Sequence, residues 1–302
     1  MHKLEIIEKN KVIEFPEDLS ECNTVQYINV SNLLYQYDKG KIDYTTFRIQ
    51  ATALLLLEKP ITKEKEGDDA KYQNIANIAE CLDSFFELDA NDKPIIKQYY
   101  IHNPIEEIKV MDNLKIKTFL GPSDEFDNVS FGEYVDGLGF MYDYLDTKDD
   151  QFLYLLMATF YREKQGLLNK KGRFSKDKRV VYNQDEVSEI AKLLKHQNKG
   201  IVYGFFLLFT SFQKYLQTAV IYIQGKEIDL SLLYKDFPTD KKTPKSDIPG
   251  LGMKSLQYMI AESGVFGDLE KVRQAKLWEI LIRMYDIRKR DFDALLTQKS
   301  AS

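Results

Sequence analysis

The chain has 302 residues, and 44% of them are hydrophobic, enough to bury a sizeable core in two or three modules of ordinary size. Its net charge of −5 argues against a whole-protein binder of nucleic acid, while leaving room for a local basic patch. The rings are mostly 19 Tyr and 18 Phe against one Trp; a buried Tyr needs a partner for its hydroxyl, so many of these belong at core edges or interfaces.

The first residues contain no apolar stretch and no small-residue cleavage site, so the expected location is the cytoplasm. Leu4, Ile6, Val12 and Phe15 alternate about the polar tip Glu8-Lys9-Asn10-Lys11, which reads as a β-hairpin ended by Pro16. A helical stripe follows with Tyr27, Val30, Leu34 and Tyr37, capped by Asn23 or Thr24 and stopped at Gly40. A second helix from about Asp43 carries Phe47, Ala51, Leu54 and Leu55, and Pro60 closes it. The charged stretch 63–68 reads as a solvated loop, and a third helix is expected from about Asp69 to Glu87. Cys22 and Cys81 fall in separate, partly apolar segments and read as reduced, partly buried thiols.

A second hairpin is predicted between Ile108 and Phe119, turning about Asp112-Asn113. After Pro122 come a helix with Tyr134, Val135, Leu138 and Met141, a break near 146–148, and a helix with Phe152, Leu155, Leu156 and Phe160. Asp149 and Asp150 stand at the start of that helix, where negative charge is favourable. The order repeats the first segment: Leu19, Tyr27, Ile28, Leu34 and Tyr37 match Phe126, Tyr134, Val135, Met141 and Tyr144 at one constant offset. Phe47, Ala53 and Glu58 match Phe152, Ala158 and Glu163 at a slightly shorter one. The change falls between the helices, where loop length is cheap to alter. We read two copies of a hairpin–helix–helix unit, against the alternative of chance similarity between amphipathic patterns.

The most apolar stretch, Ile201 to Ile223, is interrupted by Gln213, Lys214 and Gln217 and fits a buried helix running into a strand better than a membrane span. A third, weaker copy follows, with a hairpin about Gln224-Gly225-Lys226-Glu227, a polar loop over 236–249 and a short helix from Met253 stopped by Gly264. Asp268 is the expected cap of the last helix, which carries Leu277, Trp278 and Leu281, places Arg288, Lys289 and Arg290 in its last turn, and leaves a fraying tail from Leu295. The fold class expected is α+β, mostly helical, built from repeated β-hairpin plus two-helix modules. Three segments follow: 1–103, a first module with an extra helix; 104–200, a second copy with a basic loop and short helix; and 201–302, a buried helix, hairpin and C-terminal helix pair.

Motifs for chemistry are sparse. His2, His102 and His196 have no His, Cys or carboxylate at zinc-ligand spacing, and there is no Gly-x-Ser-x-Gly elbow. Gly250-Leu251-Gly252 precedes a helix but lacks the leading strand of a phosphate loop. The expectation is therefore no enzyme, no cofactor and no metal. The most unusual feature is a basic run consisting of Lys170, Lys171, Arg173, Phe174, Lys176, Lys178 and Arg179, broken by the single acid Asp177. Such a run can neutralise phosphates with Phe174 stacking on a base, or dock an acidic partner; a solvated loop is the ordinary alternative.

Pro16-Glu17-Asp18-Leu19, Thr24 and Gln26-Tyr27, echoed by Pro122-Ser123-Asp124, Ser130 and Glu133-Tyr134, form a pattern of hairpin, proline, polar pair and helix. It resembles a pattern in small proteins of tailed bacteriophages encoded near tail or virion genes. The Trp common in that family's first motif is replaced here by Leu19 and Phe126. The resemblance covers the first third of the chain and, less clearly, the second. It implies a tail-assembly chaperone or minor virion component, with no catalytic residues to carry over. The resemblance implies association with other phage structural or assembly proteins; from the residues, the expected docking is through Tyr- and Phe-rich helix faces with the basic run as a secondary contact, a homo-oligomer is possible, nucleic acid is a less favoured partner, and no membrane is expected. A bacterial regulatory or nucleic-acid-binding module using the basic run is the alternative.

Overall fold

The computed structural model describes residues 1–6, 10–57, 69–89, 92, 94–166, 177–235 and 252–301. It is mostly helical with small antiparallel sheets, the α+β class expected. The chain packs as two compact units, and neither is a continuous stretch: residues 1–105 and 196–211 form the first, and 106–195 and 212–302 the second. The expected segments 1–103, 104–200 and 201–302 differ from this partition, because the long apolar helix is divided between the units.

In the first unit β1 (His2–Ile6) pairs with β2 (Lys11–Phe15), and a 3₁₀ turn at Leu19–Glu21 leads to α1 (Thr24–Asp38) and α2 (Tyr44–Leu57). Asn23 caps α1 through a reciprocal pair: its side chain accepts from the Gln26 N–H at 3.0 Å, and Gln26 Oε1 accepts from the Asn23 N–H at 3.0 Å. Then come α3 (Asp69–Ile78), a 3₁₀ stretch Ala79–Phe85, and a short pair of β3 (Phe86–Leu88) with β4 (Pro94–Ile96). The single helix expected over 69–87 thus tightens at Ala79 and ends in a strand. Phe15, Tyr27, Val30, Phe47, Leu82 and Phe85 are in the core. The Tyr27 hydroxyl donates to the Gly204 carbonyl at 2.7 Å and meets the Tyr100 hydroxyl at 2.8 Å, which satisfies a group costly to bury alone.

The second unit repeats the order. β5 (Glu107–Asp112) pairs with β6 (Lys115–Leu120), a 3₁₀ turn spans Asp124–Phe126, and α4 (Phe131–Thr147) and α5 (Asp150–Phe160) follow. Ser130 and Glu133 form the same reciprocal cap as Asn23 and Gln26. Asp149 caps α5 by accepting from the Gln151 N–H, as its position suggested. β7 (Arg162–Glu163) adds a third strand beside β6, an addition the sequence pattern did not show because two residues carry no periodicity. Then come α6 (Val187–Leu194) and α7 (Lys199–Thr218), whose residues from Phe212 onward belong to this unit. The aromatic core gathers on Phe212: Phe126 stacks on it at 4.3 Å, Trp278 meets it edge-on at 6.1 Å, and the Tyr134 hydroxyl donates to Gln213 Oε1 at 2.8 Å.

The unit closes with β8 (Val220–Ile223), β9 (Lys226–Asp229), a 3₁₀ turn Leu230–Leu233, α8 (Met253–Glu262), α9 (Leu269–Gln274) and α10 (Leu277–Ala301). Gly264 follows α8 with φ of 70°, and Asp268 caps the next helix, but that helix is the short α9. Arg288, Lys289 and Arg290 lie in the middle of α10, not in its last turn, and the helix continues through the stretch expected to fray. Pairs at helical spacing run along its middle: Arg290 with Asp286 at 2.9 Å and Lys289 with Asp293 at 2.5 Å.

Two glycines give opposite expectations. A Cβ on Gly200 would sit 2.0 Å from the Ile28 carbonyl oxygen, whereas one on Gly139, in the exposed middle of α4, meets nothing within 4 Å. Gly200→Ala is expected to lower the unfolding free energy by about 1–3 kcal/mol, the usual cost of overpacking. Gly139→Ala should raise it by roughly 0.5–1 kcal/mol. Urea unfolding of the two variants checks both signs.

Candidate functional site

The densest set of ionisable side chains in the second unit lies at the start of α4. Glu133, the third residue of that helix, is 1% exposed. Its Oε2 is committed to the Ser130 N–H at 2.7 Å, while Oε1 faces Arg162 Nη2 at 3.1 Å and Arg179 Nη1 at 3.4 Å. Asp177 completes the group, lying 3.4 Å from Arg162 Nη2 and 3.1 Å from Arg179 Nη2. Two guanidiniums and two carboxylates balance. Burial brings the Arg162 guanidinium down to about 10, opposed by the Glu133 carboxylate and assisted by the neighbouring Arg179 charge.

These arginines also hold backbone. Arg179 donates to the carbonyls of Phe160 at 3.1 Å and Asn128 at 2.5 Å, and Arg162 to that of Val180 at 2.7 Å. Residues 177–180 run beside β7 through Gln165 N–H to Lys178 O and Val180 N–H to Glu163 O. A second knot lies alongside: Asp136 accepts from the Tyr182 hydroxyl and from Arg273 Nη2, both at 2.6 Å. Burial raises the Tyr182 phenol well above its ordinary range, and Asp136 pushes the same way. Cavities of about 620 and 440 Å³ flank these residues and share Arg162, Val181, Tyr182 and Asn183 in their walls.

Of the basic run, Lys170, Lys171, Arg173, Phe174 and Lys176 lie outside the described residues. Lys178 is exposed, as a docking residue requires. Arg179 is 2% exposed, so its charge is spent inside the unit and cannot serve an external partner. The expected contact residue is an internal anchor, because Glu133 on α4 and Asp177 within the run itself supply its counter-charges. The helix-face aromatics expected to dock partners are likewise mostly interior: Tyr27, Tyr134, Tyr144, Phe205 and Phe209 are buried.

Elsewhere, His2 Nε2 stands 3.2 Å from Ser84 Oγ, a pair that sequence spacing could not reveal. The Ser84 hydroxyl lies 2.7 Å from the Glu17 carbonyl that accepts its proton. Of the Gly-x-Gly turn, Gly250 and Leu251 are outside the described residues, and Gly252 precedes α8 with φ of 56°. Among the described residues no group of three or more His, Cys, Asp or Glu side chains could hold a metal ion, and no helix is long and apolar enough to cross a membrane. Comparison with protein-family models, with characterised proteins and with solved structures found no match to the chain.

The balance of the buried cluster sets an expectation. Glu133→Gln leaves two guanidiniums facing one carboxylate and should cost about 3–5 kcal/mol of stability by denaturant titration, with little dependence on salt. Adding Arg179→Met leaves Arg162 with Asp177 and should recover part of that loss; a double variant as weak as the sum of both changes would refute the coupling.

Cys22 gives a pH expectation. Burial, with Asp18 and Glu21 nearby, pushes its thiol from 9.0 up to about 12. The folded state therefore resists ionisation that the unfolded chain accepts, and this contribution to stability is intact below about pH 9 and lost as pH rises toward about 12. At pH 8, iodoacetamide should label the half-buried Cys81 of the folded chain well before Cys22, as peptide mapping would show.

Proposed function

We propose that this chain is a non-enzymatic structural or assembly protein of a tailed phage or prophage, a tail-assembly chaperone or minor virion component that acts by docking other proteins. It works in the cytoplasm of a bacterial host, or in the particle itself. The observation that carries the docking role is where exposed apolar surface is found. Leu88, Met111, Leu114, Ile116 and Tyr222, each more than two-thirds exposed, lie on hairpins, with Tyr99 just beyond one; Val181 and Val265, a little less exposed, lie on connections. The buried ionisable cluster around Glu133, by contrast, is internally neutralised and holds backbone in place. Large apolar groups on short strands with open edges mark surfaces that pair with another chain. The duplicated proline-led segments, with the same cap at the same place in each, support the phage reading through the resemblance they carry.

Fractionation of an infected or induced culture on a density gradient tests this. The chain is expected to sediment with virions if it is a built-in component, or with tail intermediates if it acts transiently. Met111→Asp with Ile116→Asp, two exposed positions that leave the core intact, should reduce the particle-bound fraction about tenfold, the effect of losing one good apolar contact. A chain found wholly in the free-protein fraction at every stage of infection would overturn the proposal.

A further inference from the structure

Glu125 and Phe126, consecutive residues of the turn before α4, both have left-handed backbone, with φ of 57° and 56°. An L side chain is disfavoured there, because its Cβ crowds the following carbonyl oxygen. The repeated turn does not itself demand this. In the first unit Asp18, the counterpart of Glu125, has φ of −156°, and Leu19 is not left-handed either. In the second copy a later segment lies across the turn. Trp278 Nε1 donates to the carbonyl of Glu125 itself at 2.9 Å. Leu277 N–H donates to the Val129 carbonyl at 2.9 Å and Phe131 N–H to the Ala275 carbonyl at 2.8 Å, while Ser130 and Lys276 stand opposite each other in an antiparallel bridge.

Residues 269–278, which are α9 and the start of α10, form a strap. Phe131 opens α4, so its N–H has no acceptor within the helix and finds one on the strap. Gly132 lets the strap come this close: a Cβ there would stand 2.9 Å from the Arg273 carbonyl oxygen. Val272 and Leu277 are buried and Arg273 Nη2 pairs with Asp136 at 2.6 Å, which holds the strap down. Glu270, Arg273 and Lys276 of the strap share the wall of the 440 Å³ cavity with Asn128, Ser130 and Glu133. Just ahead of α9, Gly264 and Gly267 have φ of 70° and 93°, and loop glycines take up a change of chain direction readily.

We infer that the strap is a movable cover and that the left-handed turn is the spring beneath it. Glu125 stays left-handed while Trp278 holds its carbonyl. When the strap lifts, Glu125 returns to an ordinary backbone conformation, so part of the cost of opening is recovered. The strap therefore detaches as a unit while α4 and α5 stay folded. Opening removes one wall of the cavity and uncovers the Val129 carbonyl and the Phe131 N–H. The site thus has two states, one walled and one open to solvent.

Hydrogen exchange of the purified full chain, read amide by amide by NMR, tests this. Leu277 and Phe131, whose amides join strap and turn in opposite directions, are expected to show equal protection, about a hundredfold weaker than that of Met157 in α5. Glu125→Gly, at an exposed position, relieves the closed state and should strengthen that protection about three- to tenfold. Gly132→Ala favours the helix but crowds the Arg273 carbonyl. It should weaken the protection about tenfold or more and shift the emission of Trp278, the one tryptophan, to longer wavelength, with helix content by circular dichroism nearly unchanged. Leu277 and Phe131 as protected as Met157, or unequally protected, would mean that the strap does not open by itself. A Glu125→Gly chain that gains protection at Met157 alone would mean that the turn relaxes only on global unfolding. Either result, or a Gly132→Ala chain with unchanged protection at Leu277 and Phe131, overturns the inference.

Discussion

The carboxylate of Glu133 has three obligations in a place water does not reach. One oxygen closes the first turn of α4 by accepting from Ser130, and the other faces two guanidiniums. Through Arg162 and Arg179 it ties together the backbone at Asn128, Phe160 and Val180, three points distant in the chain. Charges buried in this way are expensive unless each meets its opposite, so the parts around them must arrive together. The walls of the two cavities beside it depend on this arrangement, since Arg162 belongs to each.

The first unit shows the same helix start without the charge. Gln26 stands where Glu133 does, caps Asn23 in the same manner, and donates from its side-chain Nε2 to the Leu55 carbonyl at 3.0 Å. One duplicated local device therefore supports two tertiary solutions, one neutral and the other ionic. The tyrosine that follows, Tyr27 or Tyr134, is buried in both units and gives its hydroxyl to a residue of α7, Gly204 in one and Gln213 in the other. A repeat detected from apolar spacing thus extends to hydrogen bonds that spacing does not specify.

Much of the element order was legible because it depends on local rules. Alternation marked the hairpins, helical spacing marked α1, α2, α4, α5 and α7, and Asp149 and Asp268 announced helix starts. What escaped depends on partners far along the chain. Arg179 looked like one cation in a solvated run until Glu133 stood beside it. The tail of α10 looked frayed because its polar letters leave no apolar stripe to read. The helix aromatics mostly belong to the core, and the most exposed apolar side chains stand on hairpins, where a leucine is one letter in a short strand pattern and carries no signal of its own.

The split of α7 between the units bears on the order in which the protein can be completed during synthesis. Residues 1–105 leave the ribosome early, yet the carbonyl that accepts from Tyr27 is at Gly204. The whole of 106–195 must emerge before that helix is available, and domains made N-terminus first ordinarily do not wait for a later stretch. The nascent first unit therefore spends that interval with an unfilled face, and the arrival of a single helix lets it close while starting the last part of the second.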